Sequence, residues 1–282
     1  MRIKAYAKIN LGLHVLEKRP DNFHNIETIF HRINLFDSLT IEPHGNAISI
    51  SGAGEPMPLD ERNLCWKAVE LLRAETGTKQ GASIHIEKKI PIGAGLGGGS
   101  SDAAATLRML PSIWQTTIDP STLARVALGI GSDVPFFLHH RSAYAEGRGE
   151  KLSFVNLTLP YWIVVVTPRI HVSTAWAYSQ LTSSRRNGLH AEKFYDDTTC
   201  TVAGIAALMK NDFEEVVLAK YPDIGHLKQG LLDCGASYAL LSGSGSSVFG
   251  LFEDEHRALK ARERFVAAHT VSLTPPNFIP EL

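Results

Sequence analysis

Five of the seven residues from Gly93 to Gly99 are glycine, in the run Pro91-Ile92-Gly93-Ala94-Gly95-Leu96-Gly97-Gly98-Gly99-Ser100-Ser101-Asp102. So many glycines cost backbone entropy, and what they offer in return is a close approach of backbone to a ligand. The run follows Ser83–Ile90, which alternates like a strand, and precedes Ser100–Leu110, an alanine-rich helical stretch. Ser100, Ser101 or Asp102 is placed to cap that helix, whose free N–H groups and dipole attract an anion. A flexible surface turn is the default reading of a glycine-rich run. The order strand, loop, cap, helix favours a phosphate site instead.

The familiar phosphate and nucleophile motifs do not account for this loop. Gly93, Gly95 and Gly98 match G-x-G-x-x-G, yet the preceding strand alternates and ends in Glu87-Lys88-Lys89, unlike the doubly buried first strand of a dinucleotide fold. No lysine follows the glycines as a Walker motif requires, and no G-x-S-x-G elbow is present.

The rest of the chain narrows the class. Its 282 residues, 44% of them hydrophobic, suffice for one large domain or two ordinary ones. With 28 basic and 29 acidic residues, no global field favours nucleic acid or an anionic membrane surface. Cys65, Cys200 and Cys234 are odd in number and widely spaced, which argues against a disulfide framework or zinc site and for a reducing compartment. Lys4, Lys8 and Asn10 interrupt the stretch where an export signal would be apolar, so a cytoplasmic location is expected. The charge-free stretch Cys234–Phe252 has nearly the length of a membrane span, but nine of its nineteen residues are Gly or Ser, so it reads as two strands about a turn.

Residues Tyr6–Val15 alternate as a half-buried strand that places Lys8 and Asn10 on one face. Strands are expected at Ser38–Pro43, Ala47–Gly52 and Ser83–Ile90, paired antiparallel, with a helix from Leu64 after the polar Asp60–Asn63. A second helix-and-strand set follows: a helix at Ser121–Leu128, a central strand at Tyr161–Thr167, and strands Tyr238–Leu241 and Val248–Phe252. Helical patterns at Val202–Met209, Asp212–Ala219, Ile224–Leu232 and Glu255–Ala268 flank that pair. The class is α+β, with a domain boundary at Leu159–Pro160 that divides the chain into residues 1–159 and 160–282.

The string PIGAGLGGGSSDAAA resembles the ATP-binding motif of the GHMP kinases, the superfamily of galactokinase, homoserine kinase and mevalonate kinase. Ala7-Lys8-Ile9-Asn10-Leu11 is similar to its N-terminal motif and Leu241-Ser242-Gly243-Ser244-Gly245-Ser246 to its C-terminal glycine motif. The resemblance implies the two-domain GHMP kinase fold, an N-terminal part of the ribosomal protein S5 domain 2-like type and a C-terminal ferredoxin-like α/β sandwich. Arg19–His24 and Gly131–Phe137 narrow it to the branch whose substrate carries a cytidine diphosphate moiety. Two positions depart from the pattern: Tyr6 replaces a common proline, and Asn22 a common glycine, although Asn tolerates the left-handed conformation a turn there needs.

The resemblance implies roles residue by residue. ATP falls to Pro91, Ile92, Gly93, Ala94, Gly95, Leu96, Gly97, Gly98, Gly99, Ser100 and Ser101. Lys8 and Asp133 carry catalysis; Phe23, His24 and Tyr178 frame a cytosine, with Asn10 and Thr174 nearby. Phosphoryl transfer calls for this mixture of donors, cations and one carboxylate. Taken alone, Lys8 reads as a solvated strand lysine, Asp133 as a helix cap and Tyr178 as core packing. Mg²⁺ is expected with ATP, with Ser100 or Ser101 as a ligand, although each serves equally well as a cap. His139 and His140 lack a partner at metal-ligand spacing, and Glu146–Glu150 reads either as a second close-approach loop or as a tight hairpin. A homoserine- or mevalonate-type kinase, and a catalytically silent sensor of the same fold, are the competing readings. The Asp21–His24 segment speaks against the first, and Lys8 with Asp133 against the second.

Overall fold

The computed structural model describes residues 1–157, 159–181 and 209–281. The polar segment Thr182–Thr199 and nearly all of the helical pattern Val202–Met209 lie outside the described residues. A six-stranded sheet opens the fold. Long strands β1 (Arg2–Lys18) and β2 (His24–Pro43) form an antiparallel ribbon, and the sheet order is β3 (Ile48–Gly54), β4 (Ala82–Lys88), β2, β5 (Ser142–Glu146), β6 (Lys151–Val155). Three helices accompany it, α1 (Leu64–Thr76), α2 (Gly98–Trp114) and α3 (Pro120–Ile130), and a 3-10 turn at Pro135–Leu138 follows them. A four-stranded antiparallel sheet closes the fold in the order β10 (Thr270–Thr274), β7 (Trp162–Thr167), β9 (Val248–Phe252), β8 (Tyr238–Leu241). Its helices are α4 (Thr174–Ser179), α5 (Glu214–Lys220), α6 (Pro222–Asp233) and α7 (Glu255–Val266). Among the described residues, no helix is long and apolar enough to cross a membrane.

Alternating residues of β7 and β9 show how the halves join. Val164, Val166, Val248 and Phe252 pack with Leu231 of α6 and Phe265 of α7, while Ile163, Val165, Phe249 and Leu251 pack with Ala7, Ile9 and Leu11 of β1. The second sheet is thus covered by helices on one face and by β1 on the other. Tyr6 is buried against Phe36, ring centroids 5.2 Å apart, and against Phe278 of the C-terminal segment at 5.6 Å. Tyr6 therefore fastens the segment around Phe278 to the first strand.

Three expectations need correction. The strand around Lys8 is buried on both faces, not half-buried: Lys8, Asn10 and His14 are 4%, 1% and 3% exposed. Strands β3 and β4 run parallel, because α1 carries the chain back across the sheet between them. Finally, α2 begins at Gly98, ahead of the expected cap, and its N-terminus has no side-chain cap at all. Gly97, with φ of 69°, occupies the cap position.

The serine and aspartate that seemed free to cap are committed elsewhere. Ser101 Oγ donates to the Tyr6 carbonyl at 2.8 Å. Asp102 accepts from Lys88 Nζ at 2.7 Å, and the same ammonium reaches Asp37 at 2.5 Å, with all three side chains no more than 4% exposed. Asp37 also accepts the backbone N–H groups of Lys89 and Ile90. One cation thus ties β2, the end of β4 and the first turns of α2 into a single block under the glycine-rich loop. Removing it leaves two buried carboxylates facing each other. Lys88→Met should therefore lower unfolding free energy by about 3–5 kcal/mol, measured by denaturant titration.

Candidate active site

A cavity of about 990 Å³ runs between the two halves, from the start of α2 to the turn joining β1 and β2. At one end, Gly95 and Gly97 hold φ of 81° and 69°, which turns the loop onto the helix axis. A Cβ on Gly95 would lie 2.0 Å from the Ser242 carbonyl oxygen, and one on Gly245 would lie 2.2 Å from Ala94 C. Ser247 N–H donates to the Ala94 carbonyl, and Ser242 Oγ to that of Gly95. These glycines serve backbone-to-backbone packing of two loops, a demand separate from ligand approach. Gly99 differs, because a Cβ there would meet only Leu64 at 3.6 Å. Of the expected nucleotide residues, Pro91 to Gly95 and Gly97 to Ser100 line the cavity, while Leu96 and Ser101 do not. Leu96 sits in the core and its carbonyl accepts the Lys8 N–H at 3.0 Å, which locks the loop to β1.

Lys8 lines the same cavity. Its Nζ donates to Asn10 Oδ1 at 2.7 Å, lies 3.5 Å from Asp133 Oδ2 and 4.8 Å from the centroid of Phe30. Asn10 Nδ2 donates onward to Thr28 Oγ1, and that hydroxyl to the Gly12 carbonyl, so the amide oxygen is aimed at the lysine. Burial lowers the Lys8 ammonium below its usual 10.5, and Asp133 opposes the change. Asp133 itself follows α3, and its side chain is 32% exposed. The pair is thus a buried cation beside an accessible carboxylate.

At the far end, the β1–β2 turn is built by Arg19, whose guanidinium chelates Asp21 and whose N–H donates to the Phe23 carbonyl. Asn22 adopts φ of 67°, the left-handed geometry its identity permits. Phe23 stands 53% exposed. The rings of His24 and Tyr178 stack on each other, centroids 5.4 Å apart and planes at 21°, and Tyr178 meets Phe213 edge-on at 4.8 Å. Burial, then Lys18, lowers the His24 pKa below 6.5, which keeps the ring neutral, and burial with Asp133 keeps the Tyr178 phenol protonated. Thr174 opens α4 and accepts from Ser244 Oγ at 3.0 Å.

Sequence reasoning missed two features of this cavity. Lys88 and Asp102 belong to its wall, but a run of charges at a strand's end looks solvated. Phe30, under the Lys8 ammonium, looks like any core residue. Glu146–Glu150, for which the sequence leaves two readings open, is a tight turn between β5 and β6, and its Arg148 lines the cavity. Among the described residues, no cluster of three His, Cys, Asp or Glu side chains could hold a metal ion on its own.

The chain matches the models for the GHMP kinases N terminal domain at residues 63–141 and the GHMP kinases C terminal region at 201–270. It is 43% identical to the 4-diphosphocytidyl-2-C-methyl-D-erythritol kinase of Chlorobium chlorochromatii, over 99% of this chain and 98% of that protein. It is also 43% identical to the kinase of that name from Prosthecochloris aestuarii, with 98% and 97% covered. Among solved structures, a 4-(cytidine 5'-diphospho)-2C-methyl-D-erythritol kinase superposes with TM-score 0.82 at 33% identity, covering 97% of this chain and 98% of that one. Homoserine kinase from Cytophaga hutchinsonii, at TM-score 0.70 and 19% identity, shares the fold, with 98% and 95% covered.

The two classes of glycine separate by experiment. Gly95→Ala, with a strained φ and a blocked Cβ, should cost about 2–4 kcal/mol of stability. Gly99→Ala, in open space inside a helix, should leave stability unchanged or raise it by up to ~1 kcal/mol. Denaturant unfolding of both variants checks this.

Proposed function

The chain belongs to the GHMP kinase family, and on that premise we propose that it is an ATP-dependent 4-diphosphocytidyl-2-C-methyl-D-erythritol kinase. It moves the γ-phosphate of ATP to the substrate's 2-hydroxyl in the non-mevalonate route to isoprenoid precursors. The observation that carries this reading is the Lys8–Asp133 pair, 3.5 Å apart, in one cavity with an uncapped helix start and the His24–Tyr178 stack. The domain division we propose, 1–159 and 160–282, gives the first domain Lys8, the glycine-rich loop and Asp133, and the second Thr174 and Tyr178. The free thiols of Cys65 and Cys234 support a cytoplasmic setting.

Each step follows from a group on the page. The first N–H groups of α2 have no side-chain cap, so the ATP phosphates take that place and complement the helix dipole. Of the three Lys8 donors, one is held by Asn10 and one faces Asp133, which leaves the third for the transferred phosphoryl. The hydroxyl oxygen bonds to the γ-phosphorus as the bond to the ADP oxygen breaks, and the hydroxyl proton passes to the Asp133 carboxylate. His24 and Tyr178 offer the cytosine a flat face, and Phe23, Asn10 and Thr174 complete that end.

Mg²⁺ fits the donors present only as a partner of the phosphates. Ser101 is bonded to the Tyr6 carbonyl, whereas Ser100 lines the cavity beside Asp102, whose Oδ1 is buried without a partner. Ser100 and Asp102 would hold the ion, which neutralises phosphate charge when bound.

A phosphorylation assay with labelled ATP and a panel of the cytidyl substrate, homoserine and mevalonate tests the reading. Only the first should be labelled, and labelling of either other compound in its place would refute the proposal. Asp133→Asn and Lys8→Met should each lower single-turnover rates by about 10²–10⁴-fold. Because the two act on one hydroxyl, the double variant should be little slower than the slower single variant.

A further inference from the structure

A substrate carrying a diphosphate brings negative charge into the cavity between its base and its reacting hydroxyl. Among the described residues, the cavity's Lys and Arg side chains are Lys8, Lys18, Arg62, Lys88 and Arg148. Lys8 is held by Asn10 and Asp133, Lys88 by two carboxylates, and Arg62 is chelated by Asp60. Lys18 pairs across the ribbon with His24, at the base end. Lys18 and Arg148 are the two that no short carboxylate contact holds, and of these Arg148 has the more distinctive place in the fold.

Arg148 sits at the tip of the β5–β6 turn between Gly147, φ 71°, and Gly149, φ 101°. Glu150 shapes that turn by accepting the Arg148 N–H, and its other oxygen stays 3.8 Å from Arg148 Nε, beyond hydrogen-bond reach. Nε is buried without a hydrogen-bond partner, while the side chain as a whole is 31% exposed. The guanidinium lies 5.1 Å from the centroid of the exposed Phe23 ring. One residue along, the space a Gly149 Cβ would fill is 3.7 Å from Asp133 Oδ1. The turn therefore touches both the exposed Phe23 ring and the Asp133 carboxylate.

We infer that Arg148 is a substrate-binding residue that takes the diphosphate linking the cytidine to the polyol. The inference rests on the functional reading above. A planar, forked cation suits two adjacent phosphate groups, and stacking on Phe23 holds it in place before the ligand arrives. It adds to the proposed base-recognition residues a contact that separates a cytidine diphosphate ligand from cytidine itself.

The test is calorimetric titration of cytidine and cytidine diphosphate into wild type, Arg148→Ala and Arg148→Lys, beside wild-type turnover of the cytidyl substrate. Wild type should bind cytidine diphosphate more tightly than cytidine. Arg148→Ala should lose about 10–100-fold for the diphosphate and less than about 3-fold for cytidine, with Arg148→Lys between. KM for ATP and the thermal midpoint should stay near wild type. Equal losses for both ligands, or no preference for the diphosphate in wild type, would overturn the inference. Turnover of the cytidyl substrate by wild type judges the functional reading separately, so a failure of the inference is distinguishable from a failure of that reading.

Discussion

Everything in the cavity depends on a contact in which two glycine loops press backbone against backbone. Gly95 and Gly245 approach so closely that neither has room for a methyl group, and Ser247 and Ser242 donate to the carbonyls of Ala94 and Gly95. The first loop comes from the six-stranded half and the second from the four-stranded half, so this contact sets their separation. Leu96 then accepts from the Lys8 backbone, which carries the same register to β1. Hydrogen bonds between buried backbone groups are costly to leave unmade, and the joint is correspondingly stiff. The Lys8–Asp133 pair inherits its geometry from it: Gly243 lies over Asn10, and Asn10 aims Lys8.

Beneath the loop, the Asp37–Lys88–Asp102 cluster does the equivalent for charge. Burying an ammonium between two carboxylates costs much desolvation, and replacing such a group by apolar residues is often no loss in stability. What it supplies is position, since an ion pair has a narrower set of acceptable geometries than a methyl-lined core. The cluster fixes the first turns of α2 relative to β4, and thereby the direction in which its open N–H groups point. Burial dominates the raised pKa of Asp102, while Lys88 works in the opposite direction, so the carboxylate holds its proton more firmly than a solvated one.

Much of this was legible in the sequence where a residue's type alone carries the constraint. The glycine-rich loop, Asn22 at its left-handed turn, and the strand pair Tyr238–Leu241 and Val248–Phe252 fall in this group, because each reflects local backbone or alternation. The direction of β3 against β4 was not legible, since alternation has no polarity and only the path of α1 decides it. Polar burial hid the rest: Lys8, Asn10 and His14 lie on a face that alternation marks as wet, and a hydrogen-bond network over long sequence distances makes it dry. The stacking of His24 on Tyr178 has the same origin, because two halves of the chain must meet before either ring has a partner.

The open end of α2 has a thermodynamic consequence. Its cap is a glycine without a side-chain acceptor, so the protein alone carries helix N–H groups that its own sequence does not satisfy. A phosphate-bearing ligand is then the missing cap, and the free energy it supplies on binding is shared with folding. At a hundredfold excess over its dissociation constant, such a ligand adds about 2.7 kcal/mol to the native state. The apparent stability of this chain is therefore a function of ligand concentration, and a stability measured without the ligand describes the fold with one of its caps missing.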